Sequence, residues 1–388
     1  MMVRTPRLLL ITTSVITLRA FLVPYARHFR ALGWQVDAAA GTQGGAQGGA
    51  LDGLEDFGRI HKLNLFRSPW RTGVRSVVRT IREVVAQGRY DLVHVHTPIA
   101  AFLTRYALRQ SSVPVIYTAH GFHFFPGGGV LRNAVYQWFE RSAQPWTNAL
   151  VVLNAHDHAA AIDRLGFRAD RVVQWPGIGV DVNALGALGQ QRGQVRDSLR
   201  RSLGLTEEAF VFVYPAEFNP GKRHVDLLRA FAGLSSMDSV LLLAGSGPRD
   251  TALVKLARTL GVEERVRFLG HRRDLANVLC ASDCMVFPSE REGLSRSVLE
   301  AMAIGCPVIG SSARGVADLL ADACGWIFPV GDVSAMRKLM EHACRSPAAL
   351  AAVAASAQRR VAAYDTSVLV GLHERLYRSV LEAVDASA

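Results

Sequence analysis

Cysteine is scarce in this sequence, and the few cysteines present argue against a disulfide framework. The five are odd in number, lie in one half of the chain and include no C-x-x-C pair: Cys280, Cys284, Cys306, Cys324 and Cys344. Disulfides persist mainly in oxidising compartments. We therefore expect reduced thiols in the protein interior and a cytoplasmic location.

Long apolar runs are also lacking. A membrane-spanning helix needs about 20 consecutive apolar residues, and we find no such stretch, so the chain is not expected to span a membrane. The run 8–18, preceded by Arg4 and Arg7, imitates a signal peptide. Because Arg19 ends the run early and no small-residue cleavage site follows, we predict a buried first strand over 7–13 instead.

Acidic residues are few in the first half of the chain. The formal net charge is +11, and residues 1–185 hold 20 Lys and Arg against 11 Asp and Glu. Helical spacing predicts a helix with an arginine face opposite an apolar stripe, made respectively of Arg71, Arg75, Arg79 and Arg82, and of Val74, Val77, Val78, Ile81 and Val85. This face is either a solvated surface or a site for anionic lipid head groups or a pyrophosphate-bearing acceptor. The aromatic interleaving and motifs of nucleic-acid binding are missing, so no nucleic-acid partner is expected.

The length of 388 residues favours two domains, and 49% hydrophobic with 20% charged residues argues against disorder. Short apolar runs alternate with helical patterns in both halves, which predicts parallel sheets. The predicted strands are 7–13, 35–40, 90–95, 114–119, 149–153 and 171–175 in the first half, and 209–215, 239–244, 265–269, 283–287, 307–310 and 325–328 in the second. Gly, Gln and Arg are frequent over 186–201, which indicates an interdomain linker from about 182 to 208.

One strand, loop and helix in the second half form a candidate anion site. The apolar run 283–287 ends at Pro288, and a helical pattern begins near Ser295. The start of a helix binds phosphate through its backbone N–H groups and dipole. Glu292 precedes this helix start and Glu300 lies about 7 Å further along the axis, so the pair suits a ligand with hydroxyls on both sides of a phosphate, as in a nucleotide sugar. Alternatively, the two carboxylates only complement the helix dipole.

These residues also carry a family resemblance. Glu292 and Glu300 are separated by seven residues, with Glu-Ala-Met-Ala at 300–303 and Gly-Cys-Pro-Val-Ile at 305–309. This pattern resembles the retaining glycosyltransferases of family 4. The resemblance implies an α/β fold of the GT-B type, with two Rossmann-like, doubly wound parallel-sheet domains facing across a cleft.

The domains implied by the resemblance have distinct tasks. Residues 1–183 are expected to form the acceptor-side domain and 184–365 the nucleotide-sugar domain. The terminal helix over 366–388 is expected to cross back to the first domain, with an apolar face of Val368, Leu372, Leu376, Val380 and Leu381.

The resemblance further assigns roles to residues at the matching positions. Lys222 would hold the diphosphate together with the backbone beyond Gly293, at Leu294 and Ser295. Glu292 would contact the sugar and Glu300 the ribose hydroxyls. These assignments make Glu292 and Lys222 catalytic candidates.

A histidine in the first domain completes the predicted catalytic set. The segment Thr118-Ala-His-Gly-Phe-His123 is similar to the branch that builds capsular and exopolysaccharides, and it implies that His120 lines the donor sugar, with His123 as a second candidate. For His94 and His96, at the end of the third predicted strand, we expect a structural role. No carboxylate or cysteine joins these histidines at usual zinc spacing, so neither a metal nor another cofactor is expected.

The sequence departs from the family pattern in two places. Glu217 stands where many members have an arginine, so Arg223 or Arg296 would have to supply that charge. Thr12-Thr13-Ser14 replaces a glycine-rich loop after the first strand. At the loop that brackets the nucleobase in the family, this chain has His271 and Arg272.

The function implied is transfer of a hexose or N-acetylhexosamine, with retention, from a nucleoside-diphosphate sugar, expected to be a UDP-sugar. The acceptor would be a lipid-linked saccharide in cell-surface polysaccharide synthesis, and the protein would be peripheral at the inner face of the plasma membrane. Two alternatives stay open: a UDP-sugar 2-epimerase of the same architecture, and a non-catalytic nucleotide-sugar-binding partner of an assembly complex. Formation of an epimer from the donor alone would identify the epimerase. Donor binding without turnover would identify the non-catalytic partner.

Overall fold

The computed structural model describes residues 5–41, 52–65, 73–125, 128–177, 179–234 and 238–386. The chain divides into two compact units. The first consists of Met1–Ile178 together with Ser367–Ala388, and the second of Gly179–Thr366.

The first unit is built on a seven-stranded parallel sheet with the strand order β3-β2-β1-β4-β5-β6-β7. Its two central strands, β1 and β4, are almost fully buried. Such strands read as continuous apolar runs because both faces of a parallel sheet are covered. The strands are β1 Arg7–Thr12, β2 Gln35–Gly41, β3 Ile60–Leu63, β4 Leu92–His96, β5 Val115–Ala119, β6 Ala149–Val152 and β7 Val172–Gln174.

Helices connect these strands. The strand order runs one way from β1 to β3 and the other way from β4 to β7, so right-handed crossovers distribute the helices over both faces of the sheet. A π-helical turn, Leu18–Leu22, joins the first two helices. The helices are α1 Val15–Thr17, α2 Val23–Ala31, α3 Val74–Gly88, α4 Pro98–Leu108, α5 Val130–Ala143 and α6 Ala155–Asp163.

The second unit contains a six-stranded parallel sheet with the order β10-β9-β8-β11-β12-β13. Its strands are β8 Phe210–Pro215, β9 Ser239–Ala244, β10 Val266–Gly270, β11 Cys284–Phe287, β12 Val308–Ser311 and β13 Trp326–Phe328. Its helices are α7 Val182–Gln190, α8 Arg192–Ser202, α9 His224–Ala232, α10 Asp250–Thr259, α11 Leu275–Ala281, α12 Arg296–Ile304, α13 Val316–Leu320, α14 Val333–Arg345 and α15 Pro347–Val361. The final helix, α16, spans Thr366–Asp385 and, from Ser367 onward, belongs to the first unit.

The predicted fold class, two doubly wound parallel-sheet Rossmann-like domains, is confirmed. Every predicted strand is present, and β3 is an additional edge strand that the sequence did not predict. Among the described residues no helix is long and apolar enough to cross a membrane.

The prediction of an interdomain linker over about 182–208 is wrong. Helices α7 and α8 occupy this segment and belong to the second unit. Arg200 of α8 is 2% exposed, donates to Asp283 at 2.6 Å and also donates to the carbonyl of Ala281 at 3.0 Å. The arginines that suggested a solvated connection therefore serve as buried hydrogen-bond donors to the sheet's loops.

Two predicted helix faces also need correction. In α16 the buried side is made of Leu369, Val370, His373, Tyr377 and Val380, whereas Val368 of the predicted set is 46% exposed. In α3 the stripe from Val77 to Val85 is buried as predicted, but Val74 is 46% exposed. Arg71 lies outside the described residues, and Arg75, Arg79 and Arg82 are exposed.

Candidate functional site

The strand order of the second sheet reverses between β8 and β11. In open parallel sheets, ligands bind beyond the carboxyl ends of the strands at such a reversal, because the two following loops diverge there. The loops in question are 216–223, after β8, and 288–295, after β11. They contain Lys222 and Glu292.

Lys222 and Glu292 are in direct contact. The Lys222 ammonium, at the end of the short 3₁₀ turn Pro220–Lys222, donates a hydrogen bond to Glu292 Oε1. Both side chains are partly buried, with 24% and 14% of their surfaces exposed. Lys222 Nζ also lies 5.9 Å from the centre of the Phe287 ring. The structure thus joins one cation and one anion at the predicted edge of the sheet.

Backbone and hydroxyl contacts fix this pair. Ser289 is buried, and its hydroxyl donates to Glu292 Oε1 at 2.7 Å. The Tyr214 hydroxyl donates to the carbonyl of Lys222 at 2.9 Å. The amide of Glu290 donates to the carbonyl of Gly221 at 3.0 Å, which ties the two loops together. These contacts hold the Lys222 loop and the Glu292 loop together and, through Tyr214, attach them to strand β8.

The start of α12 lies directly after the loop that carries Glu292. Ser295 is buried at the N-cap position, and its side chain accepts no capping hydrogen bond. The first amides of a helix have no acceptor within the helix. Gly315, with φ +76°, lies against the same loop, since a Cβ atom there would come within 2.1 Å of the Gly293 carbonyl oxygen. A side chain at 315 would displace the Gly293 backbone.

Glu300 lies inside the first turns of α12, as the spacing predicted. Arg296 Nε donates to Glu300 Oε1 at 2.9 Å, and 17% of the Glu300 side chain is exposed. Along the chain, Glu292 precedes the start of α12 and Glu300 lies within the helix. Leu294, between them, is partly buried against the hydrophobic core.

The loop after β8 supplies no arginine from position 217. Glu217 is exposed and accepts a hydrogen bond from Asn219 at 3.1 Å. Arg223 is held by Asp226 at 2.6 Å, with Glu290 at 3.6 Å. Both arginines considered as replacements, Arg223 and Arg296, thus make ion pairs with carboxylates of the second unit.

The glycine turn after β9 packs against the Lys222 loop. A Cβ atom at Gly245 would lie 1.9 Å from the carbonyl oxygen of Ala216. The amide of Phe218 donates to the carbonyl of Ser246 at 3.0 Å. These contacts agree with a role of this turn in close packing.

The two nucleobase candidates lie after β10. Arg272 makes a two-pronged contact with Asp274, at 2.8 and 2.6 Å, and the arginine lowers the pKa of that carboxyl group. His271 is exposed. The structure does not bring either residue into hydrogen-bonding contact with Lys222 or Glu292.

Burial and charge change the titration of two rings around Lys222. Burial, with a smaller contribution from the Lys222 charge, lowers the pKa of His224 to about 3. Burial and the nearby Glu292 carboxylate raise the pKa of Tyr214 well above its usual value. Both rings are therefore neutral near pH 7.

The first sheet reverses between β1 and β4. The loops after these strands carry hydroxyls: Thr13 Oγ1 lies 2.6 Å from Thr97 Oγ1, and the Thr13 amide donates to Thr97 Oγ1 at 3.1 Å. Thr97 has φ +71°, which a β-branched residue adopts only under strain. Such strain is concentrated at functional positions.

His120 follows β5 in the same unit, and its Nε2 lies 3.1 Å from Nδ1 of the buried His96. His94 bonds Tyr377 and Thr118 through its two ring nitrogens. The structural role predicted for His94 and His96 thus has a physical basis. His123 lies further along the loop, with its ring 5.2 Å from that of Tyr136.

Four imidazoles of the first unit are neutral near pH 7. Burial lowers the pKa of His120 to about 4 and that of His373 to about 3. For His94 and His96, burial is again the main cause of a pKa well below the usual value. In the described part of the chain, no group of three His, Cys, Asp or Glu side chains is arranged to hold a metal ion.

Sequence reasoning missed three residues that shape these sites: Ser289, Tyr214 and Thr97. Ser289 could have been found, because a serine directly after a buried strand and three residues before a glutamate can bond that carboxylate. Tyr214 and Thr97 gave no local signal, because their contacts depend on residues that folding brings together.

Two family models match this chain. Residues 21–183 match the family model described as Glycosyltransferase Family 4, and residues 195–360 match that described as Glycosyl transferases group 1. EpsD of Bacillus subtilis (strain 168) is 32% identical to this chain over 354 residues, covering 88% of each chain. Its name describes it as a glycosyltransferase. The chain therefore belongs to the family 4, or group 1, glycosyltransferases.

Two further comparisons concern a named relative and a solved structure. The UDP-Gal:alpha-D-GlcNAc-diphosphoundecaprenol alpha-1,3-galactosyltransferase of Escherichia coli is 30% identical over 242 residues, covering 61% of each chain. The crystal structure of Anabaena HepE in complex with UDP has a TM-score of 0.79 at 20% identity, with 96% of this chain and 100% of that chain covered. The latter likeness confirms the GT-B fold.

Proposed function

We propose that this glycosyltransferase transfers a hexose or N-acetylhexosamine, with retention of configuration, from a nucleoside-diphosphate sugar to a lipid-linked saccharide. The observation that carries the proposal is the contact between Lys222 and Glu292 beside the start of α12. A cation, a set of helix amides and a carboxylate together suit a ligand that is a diphosphate on one side and a polyol on the other.

The residues have complementary tasks in the proposed reaction. The bond between the anomeric carbon and the diphosphate oxygen breaks, and the electron pair leaves with the diphosphate. Lys222 and the amides at Leu294 and Ser295 stabilise this leaving charge, which is the part of the barrier that fixed donors lower most. The acceptor oxygen becomes bonded to the same face of the sugar, and its proton passes to an oxygen of the departing diphosphate.

The two carboxylates bind the hydroxyl-bearing parts of the donor. Glu292, which Ser289 and Lys222 orient, contacts the sugar beside the positive charge that develops on it. Glu300 accepts hydrogen bonds from the ribose, and Arg296 holds its carboxylate in place. For His120 we propose the sugar contact that the family resemblance implies.

UDP is the proposed nucleotide, with His271 and Arg272 near the base. HepE was crystallised with UDP, and the E. coli relative is named for a UDP-galactose donor and a diphosphoundecaprenol-linked acceptor. These names support a UDP-sugar and a lipid-linked acceptor here. We also propose a role in cell-surface polysaccharide synthesis, at the inner face of the plasma membrane.

The experiment is a screen of UDP- and GDP-sugars for binding and slow hydrolysis, followed by transfer to lipid-linked saccharides. We expect binding of a UDP-sugar and an α-linked product from an α-linked donor, read by the anomeric proton coupling in NMR. A β-linked product would contradict retention. Dialysis against EDTA is expected to leave the rate unchanged, because Lys222 and the helix amides replace a metal in the proposal.

A further inference from the structure

Helix α5 of the first unit, Val130–Ala143, carries an unusual number of exposed apolar side chains. Of the thirteen large apolar residues that are exposed in the described chain, five lie on this one helix. They are Val130 at 87% exposure, Leu131 at 79%, Trp138 at 60%, Val135 at 45% and Phe139 at 37%. The others are scattered over other elements, as is normal for a protein surface.

The exposed residues form one surface. Leu131, Val135 and Trp138 follow the spacing i, i+4 and i+7, which aligns them on one side of the helix. We call these three, with Val130 at the helix start, the α5 patch. Phe139 lies beside the patch and anchors the helix, since its ring packs 4.8 Å from that of Phe102 in α4.

The exposed charge of the segment that carries the patch, residues 92–156, is of one sign. Between Asp91 and Asp157 the sequence has one acidic residue, Glu140. Glu140 is 7% exposed, and its carboxylate is bound by the buried Arg105 at 2.8 Å and by the Tyr117 hydroxyl at 3.2 Å. Its charge is therefore neutralised inside the unit and is not presented at the surface.

Cations, in contrast, remain at the surface. Arg132 and Arg141 of α5 are exposed, and Arg109 at the end of α4 is partly exposed. Arg109 lies 4.2 Å from the centre of the Tyr106 ring, which is itself 37% exposed. Apolar side chains including a tryptophan, on a segment whose exposed charges are all positive, match the boundary between anionic head groups and acyl chains.

We propose that the α5 patch inserts into the surface of an anionic lipid bilayer, with Arg132, Arg141 and Arg109 bound to lipid head groups. The inference deepens the proposed function, on which it rests for the choice of a membrane as partner. It also assigns the membrane contact to α5 instead of the arginine face of α3. On α3, Arg79 lies near Glu83 and Arg82 donates to the carbonyl of Ala107.

A second copy of this chain is the alternative occupant. In a two-fold symmetric dimer through α5, the same surface meets itself, so Arg132 and Arg141 would face arginines across the interface with no exposed carboxylate of this segment between them. This charge arrangement favours lipid over a second copy. The oligomeric state is therefore measured alongside lipid binding.

The test uses the full chain and vesicles of phosphatidylglycerol or phosphatidylcholine, read by co-sedimentation. Leu131→Ser/Trp138→Ser removes the centre of the patch without touching the proposed donor site. We expect its partition coefficient onto phosphatidylglycerol to fall by at least about tenfold, because two large apolar side chains no longer leave water. Arg132→Ser should reduce binding about fivefold on phosphatidylglycerol only.

Two control variants make the result specific. Val254→Ser/Val330→Ser removes apolar side chains of 42% and 39% exposure from the second unit and should leave vesicle binding within about twofold. Arg75→Ser/Arg79→Ser tests the α3 face. Loss of binding in this variant, with normal binding in the patch variant, would overturn the inference.

Fluorescence gives a readout at one side chain. Subtracting the emission spectrum of Trp138→Phe from that of the wild type leaves the emission of Trp138. This emission should shift to the blue when phosphatidylglycerol vesicles are added, and brominated lipid should quench it. An unchanged difference spectrum with vesicle-bound protein would contradict insertion of Trp138. If the wild type dimerised with increasing concentration without binding vesicles, and the patch variant stayed monomeric, the lipid inference would be overturned. The surface would then be assigned to a second copy.

The same preparations are assayed for UDP-sugar binding. Vesicle binding without UDP-sugar binding would overturn the proposed function but would still support lipid binding by the α5 patch. UDP-sugar binding without vesicle binding would overturn only the lipid inference.

Discussion

The two units share one architecture but differ in the chemistry at the strand-order reversal. In the second unit, the loops after β8 and β11 join an ammonium to a carboxylate, Lys222 to Glu292. In the first, the loops after β1 and β4 join two hydroxyls, Thr13 and Thr97, with the neutral His120 following β5. The fold thus determines where a ligand can bind, and the loop side chains determine what kind of ligand it is.

This difference suggests a division of labour. A charged site suits a diphosphate, whose binding depends on fixed cations and helix amides. A site of hydroxyls and neutral imidazoles suits uncharged hydroxyl groups. Three predictions test whether the difference is functional.

The largest effect is expected for Lys222→Ala. Removing one donor to a developing negative charge typically costs a factor of about 10²–10³ in turnover, so we expect a fall of that size in kcat for sugar transfer. Single-turnover kinetics with saturating UDP-sugar would measure it. Lys255→Ala, at an exposed position of α10, should leave kcat unchanged. A decrease of less than threefold in Lys222→Ala would remove the charged site from the mechanism.

The second prediction concerns acid stability. Within the described residues, five histidines of the first unit have a lowered pKa, against one, His224, in the second: His61, His94, His96, His120 and His373. Unfolded histidine titrates near pH 6.5, so below that pH the unfolded state binds more protons than the folded state and stability is lost as the pH falls. For His373, with a pKa of about 3, the loss at pH 5 is about 2 kcal/mol.

Urea denaturation at pH 7.5 and pH 5.0 separates the units. Trp326 is the one tryptophan in the sequence of the second unit, so Trp326→Phe reports on the first unit alone. We expect the first unit to lose more stability on acidification than the second. If both units lost the same free energy of unfolding between pH 7.5 and pH 5.0, the histidines with a lowered pKa would not explain the acid sensitivity of the first unit.

The smallest effect is expected for Glu300→Ala. Loss of a charged acceptor for the ribose hydroxyls should raise the Kd for UDP about tenfold, with little change in kcat. Isothermal titration calorimetry would measure the affinity. Thr13→Ala is the matched change in the first unit and should leave the Kd for UDP within about twofold. A similar loss of affinity in both variants would show that the two sites do not divide the work in this way.

Much of the fold could be predicted from local patterns, since twelve strands and the start of α12 followed from apolar runs and their ends. The errors have physical causes. Arg192, Arg196 and Arg200 suggested a solvated linker, but they donate to buried carbonyls and to Asp283, contacts that exist only after β11 is in place. The buried face of α16 was assigned to aliphatic residues, whereas His373 and Tyr377 are buried there through aromatic packing with Tyr25 and Phe29.

The amino-acid sequence alone determined the parallel sheets, the helix that begins after Ser295, and the spacing of Glu292 and Glu300, because these depend on residues close together in the chain. The contact between Lys222 and Glu292 joins residues 70 positions apart. The neutrality of His120 and the exposure of the α5 patch likewise depend on which distant residues surround them. Only the tertiary structure decided these features, since desolvation and contact are properties of the packed chain and not of any one segment.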